Sequence, residues 1–280
     1  MRAIEQQASD SSLYHLGRHS IGIVNGIRVY GTDPITGRRA DGEEIGSGCA
    51  GRWGDHYFIL TARHVIENAQ PRDLRFFSLP TSSVECRGPS DLRPQDIVDA
   101  VPLSDPAVTV YRCEWEDLAL ITTLPAAIPD AQFFNAANQW IDPQENEPLH
   151  CCGFPFDHNV MVEQKMVGNK EERTIALYPT AWGATVLPLP SEDELKFKIT
   201  DFDPERHYLV PYGHFAGSKQ PHGISGAATW WESDEKLLVW RPNFKFAGIC
   251  TCCYKQGSVV QVVKASVVLR FLQEVFGPKV

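Results

Sequence analysis

The stretch Gly223-Ile224-Ser225-Gly226-Ala227 sets a serine between two glycines. Glycine accepts positive φ without steric cost, so a chain with this sequence can turn sharply and aim its amides at a reacting group. Upstream stand Leu60-Thr61-Ala62-Arg63-His64-Val65 and Glu116-Asp117-Leu118-Ala119-Leu120, so a histidine, an aspartate and a serine follow one another in that order. Each of the first two is bordered by an apolar run: Phe58-Ile59-Leu60 leads up to His64, and Leu118 to Ile121 follows Asp117. A serine hydroxyl is a poor nucleophile until a neutral imidazole takes its proton, and the imidazole needs a carboxylate to fix its tautomer and support its developing charge. Ser225, His64 and Asp117 fit those three roles, and the amides of Gly223 and Ser225 are the candidates for an oxyanion hole. Taken singly, a histidine at a strand end, an aspartate at a strand edge and a serine in a turn have ordinary structural roles. Their joint order and their flanks favour the catalytic reading, with Asp117 preferred over its neighbour Glu116 because it directly precedes Leu118.

With these blocks the chain resembles the chymotrypsin-fold, or trypsin-like, serine peptidases, most in the style of the HtrA/Deg-like branch: Thr61-Ala62-Arg63-His64-Val65, then Asp117-Leu118-Ala119, then Gly223-Ile224-Ser225-Gly226. Gly153-Phe154-Pro155-Phe156 resembles the turn that opens the second barrel of that branch, and Gly248-Ile249-Cys250-Thr251 resembles the strand after its serine. The resemblance implies an all-β fold of two six-stranded antiparallel barrels with a C-terminal helix, and hydrolysis of peptide bonds through an acyl-enzyme. It also implies a pocket for the residue before the cleaved bond, with Lys219 at its base and Thr251, Cys252 and Cys253 on its wall. A lysine there favours an acidic substrate side chain, and His214 and His222 could add donors.

Departures from the pattern carry their own expectations. Ile224 stands where secreted trypsins have the aspartate that binds the new amino terminus, so that activation switch lacks its acceptor. Ile23-Val24-Asn25-Gly26 is accordingly expected to be an ordinary first strand. An effector controlled by a partner or a conformational change is compatible with this. An inactive protease fold serving as a binding or scaffold protein is the alternative. An esterase of the α/β-hydrolase type would place its triad in the order Ser…Asp…His, the reverse of this chain.

Composition sets the frame. With 280 residues, 43% hydrophobic, the chain suits one two-lobed unit with a substantial core. A formal net charge of −9 argues against nucleic acid as the main partner. No apolar run approaches the roughly 18 residues needed to span a bilayer, and residues 1–12 have no apolar centre of a secretory signal, which predicts a cytosolic protein. The eight cysteines do not form the two C-x-x-C pairs of a typical zinc site, so no metal or other cofactor is expected, and Cys151, Cys152, Cys250, Cys252 and Cys253 read as small buried residues of strands in a reducing compartment.

The expected organisation is a polar extension over residues 1–18, a first barrel over about 19–124, a linker over about 125–148, a second barrel over about 149–263 and a helix over about 266–276. Strands are predicted at Ile21–Tyr30, Ile45–Arg52, His56–Thr61, Ala107–Glu114, Leu118–Thr123, Met161–Val167, Thr174–Tyr178, Lys196–Ile199, His207–Val210, Ala227–Trp231, Leu237–Trp240, Phe246–Cys252 and Val259–Val263. A short helical turn is predicted over Ala62–Ala69, directly around His64. Phe133, Phe134 and Trp140 are expected to dock the linker on the surface. The acidic run of Glu192, Asp193, Glu194, Asp201 and Asp203 is expected to be a solvated loop.

Overall fold

The computed structural model describes residues 16–25, 45–67, 74–78, 109–122, 133–155, 160–167, 170–176, 180–192, 194, 201–212, 223–238, 241–254 and 258–278. Two antiparallel sheets carry the molecule. The first runs in the order β4-β1-β2-β3-β6-β5, from β1 (Ser20–Asn25), β2 (Ile45–Trp53), β3 (His56–Thr61), β4 (Leu74–Ser78), β5 (Val110–Arg112) and β6 (Ala119–Thr122), with β7 (Phe134–Asn135) parallel to β2. The second runs β11-β8-β13-β14-β15-β12, from β8 (Pro148–Gly153), β11 (Thr180–Thr185), β12 (His207–Pro211), β13 (Ala228–Leu238), β14 (Arg241–Tyr254) and β15 (Val259–Lys264). A separate hairpin pairs β9 (Val160–Val167) with β10 (Lys170–Ala176). This is a mostly β, chymotrypsin-like architecture with a C-terminal helix, as the sequence led us to expect.

Alternation explains the apolar runs. In β3, Phe58 and Leu60 point into one core cluster and Ile59 into another; around β6, Leu118 and Leu120 share the first cluster while Ala119 and Ile121 share the second. Because both faces are covered, these strands read as unbroken hydrophobic runs rather than alternating ones. The register pairs Leu60 with Leu120 and Thr61 with Ala119, so the end of β3 lies beside the start of β6. His64, in the short helix α1 (Arg63–Glu67), and Asp117, in the loop before β6, are brought together by that register.

Several expectations need correction. Phe133 and Phe134 are buried rather than surface-docked, because Phe134 lies in β7 and packs against Phe246 and Trp230; Trp140 remains exposed. Where separate strands were expected at Ala227–Trp231 and Leu237–Trp240, the described residues form the single strand β13, whose pairing with β14 becomes irregular between Ser233 and Leu238. β11 was not foreseen: its small residues hide the alternation in which Trp182 and Ala184 face inward. The strand expected at Lys196–Ile199 lies outside the described residues.

The helix α2 (Ala265–Phe276) does more than cap the second sheet. Leu272 and Phe271 sit in a cluster that also holds Phe58, Leu60, Leu118 and Leu120 of the first sheet and Trp230 and Ile249 of the second. Phe276 stacks on His56, and the Trp53 indole donates to the Gly277 carbonyl at 3.2 Å. The helix therefore seals both halves over one core.

Candidate active site

Asp117 holds the start of α1 by three contacts. Its Oδ2 lies 2.6 Å from His64 Nδ1, its Oδ1 accepts from the His64 amide at 3.0 Å, and its carbonyl accepts from the Arg63 amide at 3.2 Å. Arg63 is tethered in turn, donating from Nη1 to the Cys113 carbonyl at 2.8 Å. Burial pushes the Asp117 carboxyl up, but the hydrogen bond from His64, the His64 amide and the Arg63 charge bring it below its ordinary value. Asp117 is therefore an ionised acceptor, and an acceptor at Nδ1 fixes the imidazole proton there, which makes Nε2 the unprotonated nitrogen of the neutral ring. The His64 side chain is 47% exposed, so a substrate can reach it.

Ser225 sits in the turn that leads into β13. The Ala227 amide donates to the Ile224 carbonyl at 2.8 Å, and Gly226, at the third position, has φ 87°, the signature of a type II turn. Gly223 also has φ 87°. A methyl group on Gly226 would run into the Ser47 carbonyl and the Thr61 hydroxyl, so this position needs glycine for space as well as for φ. Ile224 is fully buried in the core of the second sheet, which is what an apolar residue does where the resemblance would have put a charged one. Ile23 is likewise buried in β1, an ordinary strand.

Ser47 is the residue the sequence reading missed. Its hydroxyl donates to the Gly223 carbonyl at 2.6 Å and accepts from the Phe154 amide at 2.8 Å; its own amide donates to the Ser225 carbonyl at 2.7 Å; its carbonyl accepts from the Thr61 hydroxyl at 2.7 Å. One residue on β2, through its hydroxyl and its backbone, thus staples the serine turn to β3, the strand that leads into α1 and His64. In Gly46-Ser47-Gly48 the sequence does carry a signal for it, a hydroxyl flanked by two residues without side chains. On the far side, the Gly226 amide donates to the Cys250 carbonyl and the Cys250 amide to the Ala227 carbonyl, at 2.7 and 2.8 Å, fixing the turn to β14.

Of the expected pocket, Lys219, His214 and His222 lie outside the described residues. Thr251 is buried on β14, and its hydroxyl has no hydrogen-bond partner among the described residues. Cys252 is exposed and Cys253 half-buried, against the expectation of buried strand cysteines, because a register shift between Cys250 and Cys252 interrupts the pairing with β15. Partial burial pushes the Cys252 thiol up, and the carboxylates of Asp117 and Asp201 add to it. Cys49, Cys113, Cys151, Cys152 and Cys250 are buried free thiols, and no cluster of metal-ligating side chains occurs among the described residues.

Comparison with known proteins agrees with the architecture. The chain is similar to kallikrein-related peptidase 10, solved as a zinc complex, at 11% identity and TM-score 0.51, over 93% of this chain and 96% of that one. It is similar to HBP at 10% identity and TM-score 0.50, over 94% and 93% of the two chains. A weaker likeness, TM-score 0.46 at 10% identity, joins it to the tobacco etch virus protease over 94% of this chain and 78% of that one. At these identities the likeness defines the class of fold, that of the trypsin/chymotrypsin proteases. No protein-family model and no curated protein sequence matches the chain. No helix among the described residues is long and apolar enough to cross a membrane.

Proposed function

We propose that this protein is a serine endopeptidase, with Ser225 as nucleophile, His64 as general base and acid, and Asp117 as the carboxylate that orients the imidazole. The observation that carries the proposal is the 2.6 Å contact between His64 Nδ1 and Asp117 Oδ2, on a helix start whose preceding strand is stapled to the Ser225 turn. His64 Nε2 takes the Ser225 proton as Oγ attacks the peptide carbonyl, and the oxyanion is received by the amides of Gly223 and Ser225. Collapse passes the proton to the leaving amine and leaves an acyl-enzyme, which water, activated by the same imidazole, then hydrolyses. We place Lys219, Thr251, Cys252 and Cys253 around the side chain that precedes the cleaved bond, with an acidic side chain preferred; a peptide library favouring Arg or large aromatics there would reject that preference. We propose further that the protein acts in the cytosol, on its cysteine usage, under control of a partner or a conformational change.

The deciding experiment is labelling by a fluorophosphonate probe of the native chain and of Ser225→Ala. Label on the native chain alone supports the activated serine. If neither is labelled, with cell extract added to supply an activator, the peptidase reading gives way to the scaffold one.

A further inference from the structure

Glu116, adjacent to the triad candidate Asp117, is one of the few buried charged groups among the described residues, its side chain only 6% exposed. Its two oxygens are fully committed. Oε1 accepts from the Asp117 amide at 3.0 Å; Oε2 accepts from Arg206 Nη1 at 3.1 Å and lies 3.0 Å from His207 Nε2. The Asp203 amide donates to His207 Nδ1 at 3.0 Å, which makes that nitrogen an acceptor and puts the imidazole proton on Nε2, facing Glu116. Arg206 also donates to the Trp115 carbonyl at 2.8 Å and pairs with Asp203 at 2.8 Å, so Asp203 is engaged here rather than merely solvated. The 113–118 loop belongs to the first sheet, while His207 and Arg206 lie in or just before β12, at the edge of the second.

We propose that Glu116 is a positioning residue for catalysis: through it, His207 and Arg206 of the second half of the molecule hold the backbone of Asp117 and thereby aim its carboxylate at His64. This inference rests on the triad reading above. The chemistry of the site calls for a carboxylate. Three donors converge on Glu116, and only an acceptor on both oxygens meets them; the amide of glutamine would set a donor against a donor. Burial pushes the Glu116 carboxyl up, but the His207 hydrogen bond, the Asp117 amide and the neighbouring Arg206 charge keep it below its ordinary value, so it remains an acceptor. The same loop is gripped from a second side, where Trp115 donates from Nε1 to Glu274 at 3.0 Å and lies under the Arg270 guanidinium at 4.5 Å. A buried ion pair is weak evidence for net stability, and this one also fixes a register between two lobes, the better-attested use of such groups.

The test uses His207, which is 2% exposed and whose ring nitrogens engage Glu116 and the Asp203 amide. Glutamine at 207 can still donate to Glu116 and accept from the Asp203 amide; leucine can do neither. The expected result is that His207→Leu lowers kcat, or the rate of fluorophosphonate labelling, by about tenfold or more with KM nearly unchanged, while His207→Gln stays within about threefold of native. Proton NMR supplies a readout that needs no turnover: the downfield Nδ1 proton of His64 should persist in His207→Gln and weaken or move upfield in His207→Leu. If His207→Leu does not fold, the isosteric Glu116→Gln replaces it, with the same expected losses. Folded variants with native rates and an unmoved His64 proton would overturn the proposal. A native chain that is never labelled, but whose His64 proton responds as described, would reject the triad chemistry and leave the positioning role standing.

Discussion

At the scale of single residues, the arrangement makes Asp117 the most informative position to alter. Asparagine is nearly isosteric but offers His64 Nδ1 a choice of tautomer, so Asp117→Asn should lower kcat by about ten-thousand-fold in a steady-state peptide assay while the fold persists. The same carboxylate has a signature in stability. Its pKa and that of Glu116 are both depressed in the folded protein, so the unfolded chain binds protons more readily than the native one as pH falls. Their contribution is present above the ordinary carboxylate value of about 4 and is lost as pH falls through the lower native values. Urea midpoints measured from pH 6 to pH 2 should therefore drop in the acid limb, and Asp117→Asn should flatten that drop; an unchanged acid limb would contradict the assignment. Asp117 could be singled out in the sequence because a carboxylate directly before an apolar strand has a recognisable place. Glu116 beside it could be seen but not assigned, because two of its three donors come from Arg206 and His207, some ninety positions away.

At the scale of elements, the serine turn depends on a strand of the other half. Ser47→Ala leaves the Gly223 carbonyl and the Phe154 amide without their hydroxyl partner in a buried site, a cost of about 1–3 kcal/mol. Because that hydroxyl also holds the peptide next to Gly223, kcat should fall on the order of tenfold or more, with KM little changed. Chemical denaturation and steady-state kinetics on the same variant check both parts, and a loss of stability without loss of kcat would reduce Ser47 to a packing residue. β3 and β6 were found in the sequence at nearly their observed limits, because runs buried on both faces are strongly hydrophobic. β11 and β7 were not: a strand with one Trp among Thr, Ala and Gly carries little pattern, and a two-residue strand owes its pairing to the partner rather than to itself.

At the scale of the whole molecule, one core cluster joins both sheets and α2, so the two halves should not unfold independently. Leu272→Ala, at a fully buried position of that cluster, should cost about 2–5 kcal/mol, and tryptophan fluorescence and far-UV circular dichroism should still report coincident transitions. Two separated transitions would show that the sheets are distinct cooperative units. The placing of α2 over both halves was not evident beforehand: an amphipathic helix declares that it has an apolar face, not which surfaces will receive it.

The amino-acid order was enough to indicate the class of fold, the buried strands around His64 and Asp117, and the three residues to which the chemistry is proposed to belong. Those signals are local: a hydrophobic run, a glycine on either side of a serine, a carboxylate at a strand start. The staple at Ser47, the exposure of Cys252 and the grip of His207 and Arg206 on Glu116 emerged only once the chain was folded, since each is a contact or a register set by residues distant in sequence. A hydrogen-bonding side chain does not name its partner; the packing of two sheets and a helix does.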